Sequence, residues 1–87
     1  MIKFDIRFKE SVAKDLRQLP VKDIKRILRR IDTLIDEPRP TGCEKLSAQE
    51  RYRVRQGDYR IIYEINDEEH IIIVIKVGHR REVYKQT

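Results

Sequence analysis

Cysteine is almost missing from the 87 residues; Cys43 is the only one. A lone thiol builds neither an internal disulfide nor a metal cage. That excludes a disulfide-stapled secreted scaffold and makes the reducing cytoplasm the expected compartment. Long hydrophobic runs are missing too. The longest, Ile71–Ile75, falls far short of the roughly 20 residues that cross a bilayer. The opening MIKFDIRFKE carries charge throughout and has no apolar core, so neither a signal peptide nor a membrane partner is expected. Internal repeats and low-complexity tracts are absent as well.

What is present is charge. Charged residues make up 40% of the chain and hydrophobic residues 39%, and the apolar positions fall into clear periodic segments, so one packed core over residues 1–87 is expected. Twenty Lys+Arg against fifteen Asp+Glu leave a net charge of +5, which points to a polyanionic partner, nucleic acid or an acidic protein.

Residues 2–8, IKFDIRF, alternate apolar and polar, with Ile2, Phe4, Ile6 and Phe8 on one face of a half-buried strand. Over residues 9–19 the period changes, and Val12, Leu16 and Leu19 define a short helix. Pro20 ends it and can sit at the start of a second helix. That helix carries an apolar stripe of Val21, Ile24, Ile27, Leu28, Ile31, Leu34 and Ile35, with Lys22, Lys25, Arg26, Arg29 and Arg30 opposite, and should end near Glu37 before Pro38. Residues 38–50 read as a loop in which Leu46 is a buried pin. Two strands follow, Arg51–Gln56 and Tyr59–Ile65, joined at Gly57-Asp58 by a Gly-first hairpin turn. After a turn near Asn66–Glu69, residues 70–77, HIIIVIKV, are apolar on both faces, as a central strand should be. The expectation is an α+β fold in the order β-α-α-β-β-β: a helical hairpin packed on a twisted, mainly antiparallel four-stranded sheet, with the other face left open.

That open face has a marked composition. In RYRVRQGDYR, strand alternation sets Arg51, Arg53 and Arg55 in one row, with Tyr52 and Val54 on the other face. Guanidinium groups fixed on a strand match the oxygens of phosphates or carboxylates in pairs. Arg60 lies on the adjoining strand and Arg80 just past the end of the central one. The cationic side of the second helix and the tyrosines Tyr52, Tyr59 and Tyr63 read more simply as solvated surface and as packing.

The segment KLSAQERYRVRQGDYRIIYEI, followed by IIIVIKVGHRREVY, closely resembles the RelE/ParE toxin superfamily, and within it the RelE branch. The resemblance covers nearly the whole chain. It implies a small α+β domain related to microbial RNases: the toxin of a type II toxin–antitoxin system, which enters the ribosomal A site and cuts mRNA there. The partners implied are the ribosome, mRNA and a cognate acidic antitoxin. The reaction implied needs no metal and no cofactor: the 2′-hydroxyl attacks the adjacent phosphate, leaving a 2′,3′-cyclic phosphate and a 5′-hydroxyl.

By the same resemblance Arg53, Arg55, Arg60, Arg80 and Tyr84 fall at the family's catalytic positions. Arg60 and Arg80 would serve the scissile phosphate and its leaving group, and Tyr84 would stack on a base. Lys45, Arg51 and Arg81 would contact RNA. The sequence departs from the RelE pattern in carrying Arg53 and Arg55 where lysines are usual. A lysine crowded by cations can act as a base, whereas arginine stays protonated. The proton acceptor is therefore open, with His79, Glu64 and Glu82 as candidates. The alternatives are a ParE-like toxin that inhibits DNA gyrase by binding, and an attenuated member that acts with its antitoxin as a co-repressor.

Overall fold

The computed structural model describes residues 2–46 and 50–79. Its elements are β1 (Asp5–Phe8), α1 (Glu10–Arg17), α2 (Val21–Thr33), β2 (Glu44–Lys45), β3 (Arg51–Gln56), β4 (Tyr59–Asn66) and β5 (Ile71–His79). The two helices pack on one five-stranded sheet of order β1-β5-β4-β3-β2. All neighbours are antiparallel except β1 and β5, which run parallel with Asp5 opposite Ile71.

The α+β class and the element order agree with expectation, and the apolar β5 lies between β1 and β4 as its composition requires. The strand count differs. The loop after α2 supplies a fifth strand, the two residues of β2, with Glu44 opposite Arg53 and Lys45 opposite Tyr52. Two residues carry no readable period, so this strand is set by its partner rather than by its own composition. Leu46 is half-buried, and its amide donates to the Arg51 carbonyl at 3.0 Å.

The helix-facing side of the sheet holds Tyr52 and Val54, Ile61, Tyr63 and Ile65, and Ile72, Val74 and Val77. These close on Val12, Ile27, Ile31 and Leu34 to form the core. Only part of the predicted stripe on α2 takes part. Val21 and Leu28 stay exposed, because the sheet covers a narrower arc of the helix than the apolar residues span. The helix also ends at Thr33 rather than near Glu37. The Thr33 hydroxyl donates to the Arg30 carbonyl at 2.6 Å, and the Leu34 and Ile35 amides turn back three residues, tightening the chain into 3-10-like turns. Of the β1 face, Phe4 and Ile6 reach the core, while Ile2 and Phe8 stay exposed on this edge strand.

Three side-chain links fasten the layers. Asp15 of α1 accepts from Lys76 Nζ at 2.9 Å and from the Val77 amide at 3.2 Å. The Tyr59 hydroxyl donates to Asp23 of α2 at 2.9 Å. Arg39 lies over the Tyr52 ring, 5.0 Å from its centre, donates to the Tyr52 hydroxyl at 3.0 Å, and pairs with Asp67 at 2.8 Å and Glu50 at 3.3 Å. The Arg39 hydrogen bond holds the Asp67 carboxyl below its ordinary value of 3.8, and the Tyr52 hydroxyl does the same for Glu50. Tyr63 is buried, its hydroxyl donates to the Pro38 carbonyl at 2.6 Å, and burial raises its pKa. No helix among the described residues is long and apolar enough to cross a membrane.

Two outcomes are expected. Asp15→Ala strands the Lys76 ammonium and the Val77 amide in a half-buried site, and should cost about 1–3 kcal/mol in urea unfolding, with Asp15→Asn recovering part. The depressed Asp67 contributes stability that is complete above its unfolded pKa and is lost as pH falls through the lower folded value. A Tm-against-pH curve should therefore drop below about pH 4, and Arg39→Ala should both lower the neutral plateau and flatten that acid drop.

Candidate nucleic-acid interface

The arginine face is built by the β3–β4 register. Arg51 lies opposite Glu64, Arg53 opposite Ile62, and Arg55 opposite Arg60, with Gln56 and Tyr59 flanking the turn. Gly57 has φ +60° and Asp58 does not share that left-handed conformation, as a Gly-first two-residue turn requires. The turn fixes the register, and the register makes two arginines face each other.

The row is graded along its length. Arg51 pairs with Glu64 at 3.0 Å, and Arg53 with Glu44 of β2. Lys45 pairs with Glu50 at 3.4 Å. The chain's own carboxylates thus answer the cations at one end of the face. At the hairpin end, neither Arg55 nor Arg60 forms an ion pair with a described residue. Like charges directly opposite on neighbouring strands repel, and here one of them is buried: Arg60 is 4% exposed. Its Nη1 donates to the Tyr59 carbonyl at 3.1 Å, and its Nε has no hydrogen-bond partner among the described residues. Gly78 stands opposite Arg60 on β5, so no side chain crowds the guanidinium from that strand.

A register shift follows immediately. Ile62 pairs with Lys76 and Tyr63 with Val74, which leaves Ile75 as an extra residue in β5. Such a bulge bends its strand and re-aims the side chains beside it. Ile62, next to Arg60 on the same face, is 3% exposed. The face is therefore exposed at Arg51 and Arg55 but closed around Arg60 and Ile62, rather than open throughout. At its far end Glu50, Glu64, Asp67 and Glu68 line an acidic depression. The sheet is thus electrically polar along its strands.

The expected site residues divide accordingly. Arg53, Arg55 and Arg60 share one face, and Arg51 lies on it at the acidic end. His79 is placed elsewhere: it lies opposite Tyr59 and meets that ring edge-on at 6.1 Å, on the side of the sheet where Tyr59 bonds Asp23 of α2. It does not face Arg60. Glu64 is on the arginine face, bound to Arg51. Arg80, Arg81, Glu82 and Tyr84 lie outside the described residues. Lys45, opposite Tyr52, lies on the helix side rather than in the row. Sequence reasoning missed Glu44, the carboxylate beside Arg53, since nothing in PTGCEKL marks it as strand.

Comparison with known proteins identifies the family to which the fold belongs. Residues 6–84 match the family model described as the ParE toxin of the type II toxin–antitoxin system parDE. A curated relative, a putative toxin RelE1 of Methanocaldococcus jannaschii, is 34% identical over 97% of this chain and 98% of its own. The toxin of the archaeal RelE–RelB complex from Pyrococcus horikoshii superposes with a TM-score of 0.78 at 30% identity, covering 90% of this chain and 96% of that one. A chain of the Mycobacterium tuberculosis toxin–antitoxin complex RelBE2 gives 0.79 at 26%, covering 91% and 100%. The chain belongs to the ParE/RelE family of type II toxin–antitoxin toxins, on its RelE branch.

Proposed function

We propose that this toxin is a metal-independent endoribonuclease that cuts mRNA in the ribosomal A site, and that an acidic antitoxin restrains it by covering the arginine face. The observation that carries the reading is Arg60: a guanidinium 4% exposed, opposite a second arginine, with no carboxylate among the described residues to balance it. Burying an uncompensated cation is unfavourable in the free protein. A phosphorane arriving between Arg60 and Arg55 reverses that penalty, so the two groups act where negative charge grows in the transition state.

On this reading the ribose 2′-oxygen attacks phosphorus, the P–O5′ bond breaks, and the charge gathered on the non-bridging oxygens is met by Arg60 and Arg55. Arg80 would assist the leaving 5′-oxygen and Tyr84 would hold a base. The 2′-hydroxyl proton must pass to a group other than arginine. Among the described residues of β2–β4, the carboxylates on this face are Glu44 and Glu64, each held by an arginine. The acidic end of the sheet repels phosphates, which favours approach from the hairpin end. Support for the antitoxin comes from the related toxins solved in complex with RelB-type partners.

The family model's description names ParE, which makes gyrase inhibition the reading to separate. Expression in growing cells with primer extension on a long transcript should show cuts confined to translated RNA. Cuts in untranslated RNA, or gyrase inhibition with RNA intact, would overturn the proposal. Arg60→Met should lower cleavage by about a hundredfold or more, yet hold or raise Tm, since it removes a buried unpaired charge. A variant that unfolds would instead mark Arg60 as a structural arginine.

A further inference from the structure

The cationic side of α2 has a partner surface that its helical period alone does not show. Arg26, Arg29, Arg30 and Thr33 line a depression of about 390 Å³ together with Gln56, the last residue of β3. Gln56 follows Arg55 in the strand, so the two point to opposite faces. The depression thus lies on the helix side of the strand end whose other side carries Arg55 and Arg60. None of Arg26, Arg29 and Arg30 forms an ion pair with a described residue, although Arg39, Arg51 and Arg53 all do. Asp23 and Asp58 line the neighbouring depression with Arg26, and Asp23 is already bound by Tyr59, so the cationic stretch ends there.

The edge between the two sides is open. Strand β2 covers β3 only at Tyr52 and Arg53, and no described strand pairs the outer edge of residues 54–56. A chain of phosphates can therefore cross that edge at residues 54–56, between Glu44, which Arg53 already holds, and Asp58 at the turn.

From this arrangement we infer that the α2–β3 groove is a second phosphate-binding site, which holds the RNA backbone away from the cleaved bond. The inference rests on the ribonuclease reading and extends it to the path of the strand. The groove's lining decides the class of ligand. It is three arginines, a threonine and a glutamine, with no apolar side chain to anchor a partner helix, whereas guanidinium forks and polar side chains suit phosphodiester oxygens. The exposed apolar residues of α2, Val21 and Leu28, do not line it. Here Arg26, Arg29 and Arg30 are positioning residues: they bind backbone and do not touch the reacting atoms.

The test uses the whole protein and a fluorescent single-stranded RNA carrying 2′-O-methyl groups, which binds but cannot be cut. Affinity is measured as a function of KCl concentration. The triple variant R26Q/R29Q/R30Q should bind about tenfold more weakly or worse, and its log–log salt slope should fall by about 0.7 for each phosphate that the groove no longer neutralises. The control K14Q/K22Q/K25Q removes the same net charge from helix surface outside the groove, and should stay near the parent in both measures. Equal weakening by the two triples would overturn the inference in favour of net charge alone. Unchanged binding by the groove triple would overturn it outright. So would a variant that keeps RNA and loses poly-glutamate, which would assign the groove to an acidic protein. Because the RNA is uncleavable, binding is scored separately from the primer-extension result. A groove effect without message cleavage would leave RNA binding standing and remove only the nuclease.

Discussion

Arg60 is a cation placed where water barely reaches, in the middle of a sheet, facing another cation. The surrounding structure is what keeps it there. The Gly57 turn sets the β3–β4 register, and the Tyr59–Asp23 bond ties the same end of the hairpin to α2. Tyr63, two residues on from Ile61 in β4, is stacked on Tyr52 and bonded to the Pro38 carbonyl, which pins the strand from the core side. A group this unfavourable in isolation persists only because the strand that carries it has no freedom to turn it outward.

The arrangement separates two uses of arginine within one short segment. Arg39, Arg51 and Arg53 are joined to carboxylates and hold the fold or shape the face. Arg55 and Arg60 have no such partner among the described residues. Exposed pairs such as Arg51–Glu64 contribute little to stability, but they neutralise the cations at that end of the sheet. The carboxylates at Glu50, Glu64, Asp67 and Glu68 complete that bias. The order of charges along two strands thus makes one end of the sheet cationic and the other acidic.

Much of this was legible in the sequence, for identifiable reasons. Period-two alternation in IKFDIRF and RYRVRQ, the helical stripe after Pro20 and the doubly apolar HIIIVIKV each state a backbone geometry directly, and the fold follows from them. The shared face of Arg53 and Arg55 was legible for the same reason, since alternation assigns a side without any knowledge of neighbours, whereas Arg60 joins it through the hairpin register. What was not legible depends on pairing. The two residues of β2 have no period, so Glu44 could not be matched to Arg53. The sequence named His79 as a candidate proton acceptor without giving it a face, and the register puts its ring beside Tyr59, away from Arg60. Arg39, between two prolines, gave no sign that it binds Tyr52, Asp67 and Glu50 together.

The parallel pairing of β1 with β5 has a consequence for synthesis. Strand β5 is synthesised after every other described strand yet lies between β1 and β4, and both wait for it: among the described strands β1 has no other partner, and β4 has only β3. Contacts between such distant segments close late. Until then Arg60 sits on an incomplete hairpin with nothing to bury it. The β1–β5 ladder ties the first described strand to the last, so burial of Arg60 is a property of the whole sheet rather than of the hairpin that carries it.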